Sequence, residues 1–343
     1  MQFATPILNL TAKDGEVTLE KLSNEFMEEI VKACRPYTAQ GEVIDHIPGL
    51  DQSHATDLGV TIITKEGEVY SAGEDDCNFS LQSISKVIIL LMALEDFGKE
   101  VVFQKVDMEP TDDFFNSISN LENYEGHRPY NPFINSGAIA TASLVNGSTV
   151  EERFQRILSF LQTITGDDEK VKLNEEVYHS EIKNGARNRS LAYFMESTGV
   201  LSNKEAEEAL DLYYRVNSID VNSLALAKLG FFLANHGKIS GTGSQLIQSR
   251  HVRTVKAIML TSGMYNESGT YAVDVGFPLK SGVSGSIVGA VPGRMGVGII
   301  GPSINKKGNS VAGGQVLRML SEKLRLNIFH DSTIVKGKGR FLF

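Results

Sequence analysis

The stretch Phe79-Ser80-Leu81-Gln82-Ser83-Ile84-Ser85-Lys86, running straight into Val87-Ile88-Ile89-Leu90-Leu91-Met92-Ala93-Leu94, is the part of the chain that the rest serves. An unbroken apolar run after a polar turn predicts a helix buried on every side. Ser83 and Lys86 stand three apart, a spacing that makes two side chains neighbours on one helical face. That is the pattern of a hydroxyl nucleophile and its base. A lysine titrates near ~10.4 in water, so taking a serine proton at neutral pH requires the value to fall by roughly 3 units, about 4 kcal/mol. Burial beside the apolar run supplies the means.

Ser-x-x-Lys is a short pattern and recurs here at Ser180 to Lys183 and Ser303 to Lys306. Context separates the three. Only the first opens a long apolar helix directly after a β-hairpin, the strand-turn-helix setting that presents a nucleophile at a helix start.

A chain of 343 residues can bury a large core, as one sizeable unit or two intimately packed lobes. The net charge of -9 and the lack of a basic stripe argue against nucleic acid and anionic membranes as partners. Cys34 and Cys77 are too few for a disulfide framework, and neither they nor the seven histidines show metal-ligand spacing, so no metal or cofactor is expected. The N-terminus lacks a basic segment followed by an apolar one, and no apolar run approaches the ~20 residues of a spanning helix. A soluble, cytoplasmic protein is the expectation.

Around the central stretch, residues 18–34 read as an amphipathic helix that Thr18 can cap. Residues 58–64 and 69–72 flank Lys65-Glu66-Gly67-Glu68 as a β-hairpin. From about 134 to 262 helical periodicity dominates, predicting helices at 134–145, 149–164, 187–198, 203–216, 221–235 and 243–262. After Gly263 the pattern changes. Tyr271 to Val275 and Ser286 to Val291 read as strands, Pro292-Gly293-Arg294 turns the chain into a strand at Met295 to Ile300, and a last helix covers about Gly314 to Leu324. The simplest fold is α+β, with one sheet built from both chain ends and a helical lobe inserted between them. The expected division is 1–100 with 263–343 as the sheet lobe and 101–262 as the helical lobe.

Several ordered motifs accompany that layout. They are Gln82-Ser83-Ile84-Ser85-Lys86, Asn131-Pro132-Phe133-Ile134-Asn135-Ser136-Gly137-Ala138-Ile139, Ser180-Glu181 with Gly185 and Arg187-Asn188, and Leu210-Asp211-Leu212-Tyr213. Gly263-Met264-Tyr265-Asn266-Glu267-Ser268-Gly269, Pro278-Leu279-Lys280-Ser281-Gly282-Val283-Ser284-Gly285 and Gly308-Asn309-Ser310-Val311-Ala312-Gly313 follow. From about residue 15 to Phe329 the chain resembles the serine-dependent glutaminases, which share the fold of β-lactamases and penicillin-binding proteins. The resemblance implies hydrolysis of L-glutamine to L-glutamate and ammonia, with Ser83 as nucleophile, and Lys86 relayed with Tyr265 to move the protons. It implies an oxyanion held by the backbone N–H groups of Ser83 and Val283, and substrate contacts from Ser83, Asn135, Glu181, Asn188, Tyr213, Tyr265 and Val283. A homo-oligomer, dimer or tetramer, is also implied.

The residues agree with an amino-acid ligand. Glu181 is a carboxylate able to pair with an ammonium, although a solvated acid on a helix is the commoner role. Seven residues on one straight helix separate Glu181 and Asn188 by ~10.5 Å along the axis, so Gly185 is expected to break the helix, leaving Glu181 on a bend and Asn188 in the next first turn. Asn135 can equally cap the helix that follows it. Tyr213 and Tyr265 would by default be half-buried packing residues. Lys280-Ser281-Gly282 is similar to the Lys-Thr-Gly strand motif of β-lactamases and predicts an edge strand at the site. His46 stands where the family usually carries a tyrosine that touches substrate. Two rival readings, a penicillin-binding-type amidase or β-lactamase and a non-catalytic amino-acid-binding protein, lack respectively a Ser-Asp-Asn motif and a reason for Ser83, Lys86 and Tyr265 to occur together.

Overall fold

The computed structural model describes residues 22–330. Its first helix, α1 (Asn24–Cys34), begins where Ser23 Oγ accepts the Phe26 N–H at 3.2 Å. The predicted cap, Thr18, lies outside the described residues. The hairpin follows as β1 (Gly59–Thr64) and β2 (Val69–Gly73), then a short β3 (Phe79–Ser80) and α2 (Ser85–Lys105), which Gly98 interrupts at φ +78°. The middle of the chain forms α3 (Ser119–Glu122), α4 (Asn135–Ala142), α5 (Val150–Thr165), α6 (Glu175–Asn184), α7 (Ala186–Ser197) and α8 (Asn203–Asn217). After β4 (Asp220–Val221) come α9 (Ser223–Ala234), α10 (Ser249–Ser262) and α11 (Ser268–Asp274). The chain closes with β5 (Leu279–Ser281), β6 (Ser286–Val291), β7 (Met295–Ile300) and α12 (Val311–Leu324).

Three elements depart from the sequence expectation. Residues 271–275, expected as a strand, lie in α11 and its C-terminal end. Tyr271 and Val275 are both buried, and four residues apart they share one helical face, so packing overrides the local alternation. The α10 helix starts only at Ser249, because residues 238–248 form a turn that includes the Lys238–Gln245 bridge. Residues 175–184, not marked as helical, form α6 from an Asn174 cap whose Oδ1 accepts the Val177 N–H.

The sheet has the order β2-β1-β7-β6-β5, antiparallel throughout. It is therefore assembled from both ends of the described chain, as expected. On one face, α1 and α12 seal a core that contains Met27, Ile30, Ile62, Val297, Val316 and Leu320. On the other lies α9, and here backbone meets backbone. A methyl group on Gly296 would sit 2.1 Å from Ala227 O, one on Gly298 2.0 Å from Ser223 O, and one on Gly230 2.2 Å from Gly289 O. Glycine is what lets helix and sheet approach so closely.

The apolar run at the start of α2 lies at the centre of a second, larger core. Residues from Ser85 to Leu94 are all buried, which accounts for the absence of any polar side to that segment. Among the described residues no helix is long and apolar enough to cross a membrane.

Candidate active site

The nucleophile candidate is fixed by what precedes and follows it. Phe79 pairs with Val221 and the Leu81 N–H donates to Ile219 O at 2.8 Å, tying the approach strand to the end of α8. A 3-10 turn, Gln82–Ile84, then carries Ser83 into α2. Gln82 adopts φ +46°, a left-handed conformation that is costly for a residue with a side chain and marks a functionally constrained position. Behind the turn, Ser85 Oγ donates to Asn217 Oδ1 at 2.5 Å. In front of it, a methyl on Gly282 would lie 2.8 Å from Leu81 O, so the end of β5 presses against the same turn. Ser284 Oγ donates to Ser80 O at 2.7 Å and holds that contact.

Lys86 lies beneath the turn, 1% exposed. Its Nζ donates to Phe133 O at 3.0 Å and to Asn135 Oδ1 at 2.7 Å. Burial brings its pKa down to about 7, against the opposing pull of the Glu181 carboxylate. The sequence demand for a desolvated amine is thus met. Asn135 passes the order on: its Nδ2 donates to Asn188 Oδ1 at 2.9 Å, and Tyr213 Oη donates to its Oδ1 at 3.4 Å. Asn135 does not cap its helix. No side chain caps α4; Asn131 Oδ1 instead accepts the N–H groups of Phe133 and Ile134 and braces the loop just before it.

Ser83, Asn135, Glu181, Asn188, Tyr213 and Val283 all line one cavity of about 290 Å³. Glu181 occupies the last turn of α6, and Asn188 the first turn of α7, with Gly185 between them. Gly185 is required there: a methyl on it would fall 2.2 Å from Tyr214 Oη. The break brings two residues seven apart onto one pocket. Burial raises the Glu181 pKa, while hydrogen bonds from Gln82 and Asn217, then His46 and Lys86, act in the opposite direction. The Gln82 amide reaches Glu181 Oε1 at 3.3 Å.

Tyr265 borders the neighbouring cleft of about 820 Å³ rather than this cavity. It sits in a 3-10 turn at φ +51°, its ring tilted against Phe115 with centroids 4.9 Å apart. Its hydroxyl is buried and lacks a well-formed hydrogen bond, yet lies near enough to Ser83 to interact with it, which offsets part of the rise in pKa that burial causes. Asn217 and Phe115 belong to the site and were not singled out from sequence, and Gln82, quoted there only as part of its motif, joins them. Asn217 follows the Leu-Asp-Leu-Tyr motif by four residues and carries no local signal of its own. His46 lines the cavity, as its position in the alignment of motifs suggested. Among the described residues no cluster of three His, Cys, Asp or Glu side chains is arranged to hold a metal ion.

A serine in a strained turn, a buried lysine whose pKa burial lowers and a small polar cavity form the candidate site. Comparison with known proteins gives the family. The glutaminase family model matches residues 41–329. Glutaminase 2 of Clostridium perfringens is 48% identical over 304 residues, covering 89% of this chain and 99% of that protein. A crystal structure of a Bacillus subtilis probable glutaminase superposes with a TM-score of 0.83 at 35% identity, covering 89% of this chain and 97% of that one. A second B. subtilis structure, the glutaminase YbgJ covalently joined to 5-oxo-L-norleucine by reaction with 6-diazo-5-oxo-L-norleucine, matches with a TM-score of 0.79 at 34% identity, covering 89% of this chain and 99% of that one. The chain belongs to the glutaminase family, and its β-lactamase-like fold is the one expected from its motifs.

Proposed function

We propose that the protein hydrolyses L-glutamine to L-glutamate and ammonia through an acyl-enzyme on Ser83. The observation that carries this reading is the bonding of Lys86. A neutral amine has two N–H groups and one lone pair. Phe133 O and Asn135 Oδ1 take the two hydrogens, so the lone pair remains for the serine three residues away. With a pKa brought to about 7, roughly half the amines are free at neutral pH.

In the proposed sequence, Ser83 Oγ bonds to the side-chain amide carbon of glutamine as its proton passes to Lys86. The oxyanion forms against the backbone N–H groups of Ser83 and Val283, an arrangement worth roughly 3 to 4 kcal/mol per donor in comparable sites. Collapse breaks the C–N bond, and ammonia leaves with the proton returned by Lys86 through Tyr265. Water then attacks the ester by the same route in reverse, releasing glutamate and restoring Ser83. Glu181 pairs with the substrate ammonium, with Asn188 and Tyr213 fixing the head group. The covalent adduct that a glutamine-shaped diazoketone forms with YbgJ supports covalent chemistry by a protein nucleophile in this family. The cavity is at the small end of ligand pockets, in keeping with a single amino acid.

The test is ammonia release from glutamine against asparagine by the wild type and Ser83→Ala. Full turnover by the variant would remove the mechanism. We propose further that the protein is a cytoplasmic homo-oligomer, dimer or tetramer. Exposed Phe97 and Val101, on either side of the Gly98 break in α2, supply apolar surface for a subunit contact, and light scattering at micromolar concentration decides the matter.

A further inference from the structure

Lys280 is the side chain that the proposed reaction leaves unused. It is 0% exposed, at the centre of the edge strand β5. Its Nζ donates to the adjacent Ser281 O at 2.6 Å, and among the described residues it forms no salt bridge to a carboxylate. A buried amine without an anion is expensive: whether it stays charged or gives up its proton, desolvation works against it. An aliphatic side chain would fill the same space at no such cost, so the amine answers to something other than packing.

What it faces is Tyr265. Lys280 Nζ lies over that ring at 4.6 Å from the centroid, and over the Phe133 ring at 5.8 Å. Phe115 packs against the same tyrosine, and Gly308 closes on its edge, where a methyl group would stand 3.2 Å from Tyr265 Cε2. The backbone of Tyr265 is in the left-handed region, so the residue is held by its surroundings and not by its own preference. Hydrogen bonds from Asn309 Nδ2 to Met264 O and to Glu267 Oε2 brace the turn. None of these contacts reaches the hydroxyl, whose polar neighbour is Ser83, without a well-formed hydrogen bond to it.

We infer that Lys280 is a positioning residue for the reaction, its amine seating the Tyr265 ring so that the phenol stays directed at Ser83. The inference rests on the proposed role of Tyr265. An amine N–H over an aromatic face attracts it whether the nitrogen is charged or neutral, and with Phe115 against the ring and Gly308 at its edge it selects one ring placement over its neighbours. The charged groups around Lys280 are few: Lys86 on α2 adds to burial in lowering the Lys280 pKa, and Glu181 on α6 faces Lys86. Lys280 therefore acts on Tyr265 through contact with the ring, at a distance from the substrate head group.

The experiment is a double-mutant cycle on glutamine hydrolysis with Lys280→Met and Tyr265→Phe. Lys280→Met is expected to lower kcat roughly 10- to 100-fold with KM changed less than about threefold. In the Tyr265→Phe background the same change should have little further effect, leaving kcat within about threefold of Tyr265→Phe alone. Should Lys280→Met fail to fold, Lys280→Gln keeps a donor for Ser281 O and is read in the same cycle. Wild-type kcat in a folded Lys280 variant overturns the inference, and so do effects that multiply in the double variant. A fully active Tyr265→Phe enzyme removes the role of Tyr265 and this inference with it, whereas an active Ser83→Ala enzyme strikes only at the nucleophile.

Discussion

Lys86 Nζ donates to Asn135 Oδ1 at 2.7 Å, and this one bond fixes the orientation of both groups. It turns the amide of Asn135 so that its Nδ2 points to Asn188 Oδ1, and with the bond to Phe133 O it engages two of the hydrogens on the amine. The buried amine and the lining of the cavity are thereby joined through one side chain.

Activity should follow the free amine of Lys86. Because burial sets its pKa at about 7, kcat/KM is expected to rise with pH along a limb centred near 7, the ammonium form at lower pH being unable to accept a proton. Lys86→Ala should lose at least ~100-fold in kcat, the scale of a lost acid-base group. A flat profile between pH 6 and 8 would detach the base from Lys86.

Stability carries the same signature with a definite sign. Between about 7 and the ordinary lysine value, the unfolded chain binds a proton at Lys86 that the folded chain does not. Unfolding free energy should therefore rise as pH increases from 7 towards ~8, before the thiol of Cys34, pushed up to about 12 by burial in the fold, begins to titrate in the unfolded chain and opposes the trend. Urea titrations should show the slope shrinking in Lys86→Met. An unchanged slope would mean that the lysine is protonated in the fold.

Glu181→Gln removes the carboxylate proposed to meet the ammonium. KM should rise at least ~10-fold with a smaller change in kcat. Since burial raises the pKa of Glu181, the wild-type KM should also climb as pH falls, and that dependence should weaken in the variant. Asn217→Leu, which withdraws a hydrogen bond from Glu181 and frees Ser85, should reproduce part of the effect. Kinetics on glutamine that match the wild type would return Glu181 to a structural role.

The contact between α9 and the sheet offers a test away from the chemistry. Gly298→Ala would drive a methyl to 2.0 Å from Ser223 O and should destabilise the protein by roughly 1–3 kcal/mol or more, as overpacking does. Gly269→Ala, with nothing within 4 Å of the added methyl, is the comparison and should unfold at nearly the wild-type urea concentration. Equal midpoints for the two would mean that the helix can lift off without cost.

The two hairpins were legible because each strand is short, apolar and bounded by turn residues, and the apolar helix α2 because no other element can bury such a run. Residues 271–275 misled for the same local reason: Tyr-Ala-Val-Asp-Val alternates like a strand, and only the tertiary core shows that Tyr271 and Val275 bury together. Of the site, the residues inside motifs converged on one cavity. Asn217 and Phe115 remained hidden, since each acts through partners far away in the chain, Ser85 and Tyr265. The role of Asn131 as the true brace before α4 likewise depends on which of two asparagines the buried lysine claims.

The pairing of β1 with β7 also dictates when the enzyme can exist. Gly59 finds its partner Ile300 roughly 240 residues downstream, so on the ribosome the first hairpin waits with one edge open while the helices emerge. Through that interval the nascent chain already holds Ser83 and Lys86 but not the strand that carries Lys280 or the turn after it that carries Val283. The protein is therefore silent as a catalyst until nearly its whole length has been made. Its period of greatest exposure to unwanted strand partners is the time taken to translate its middle.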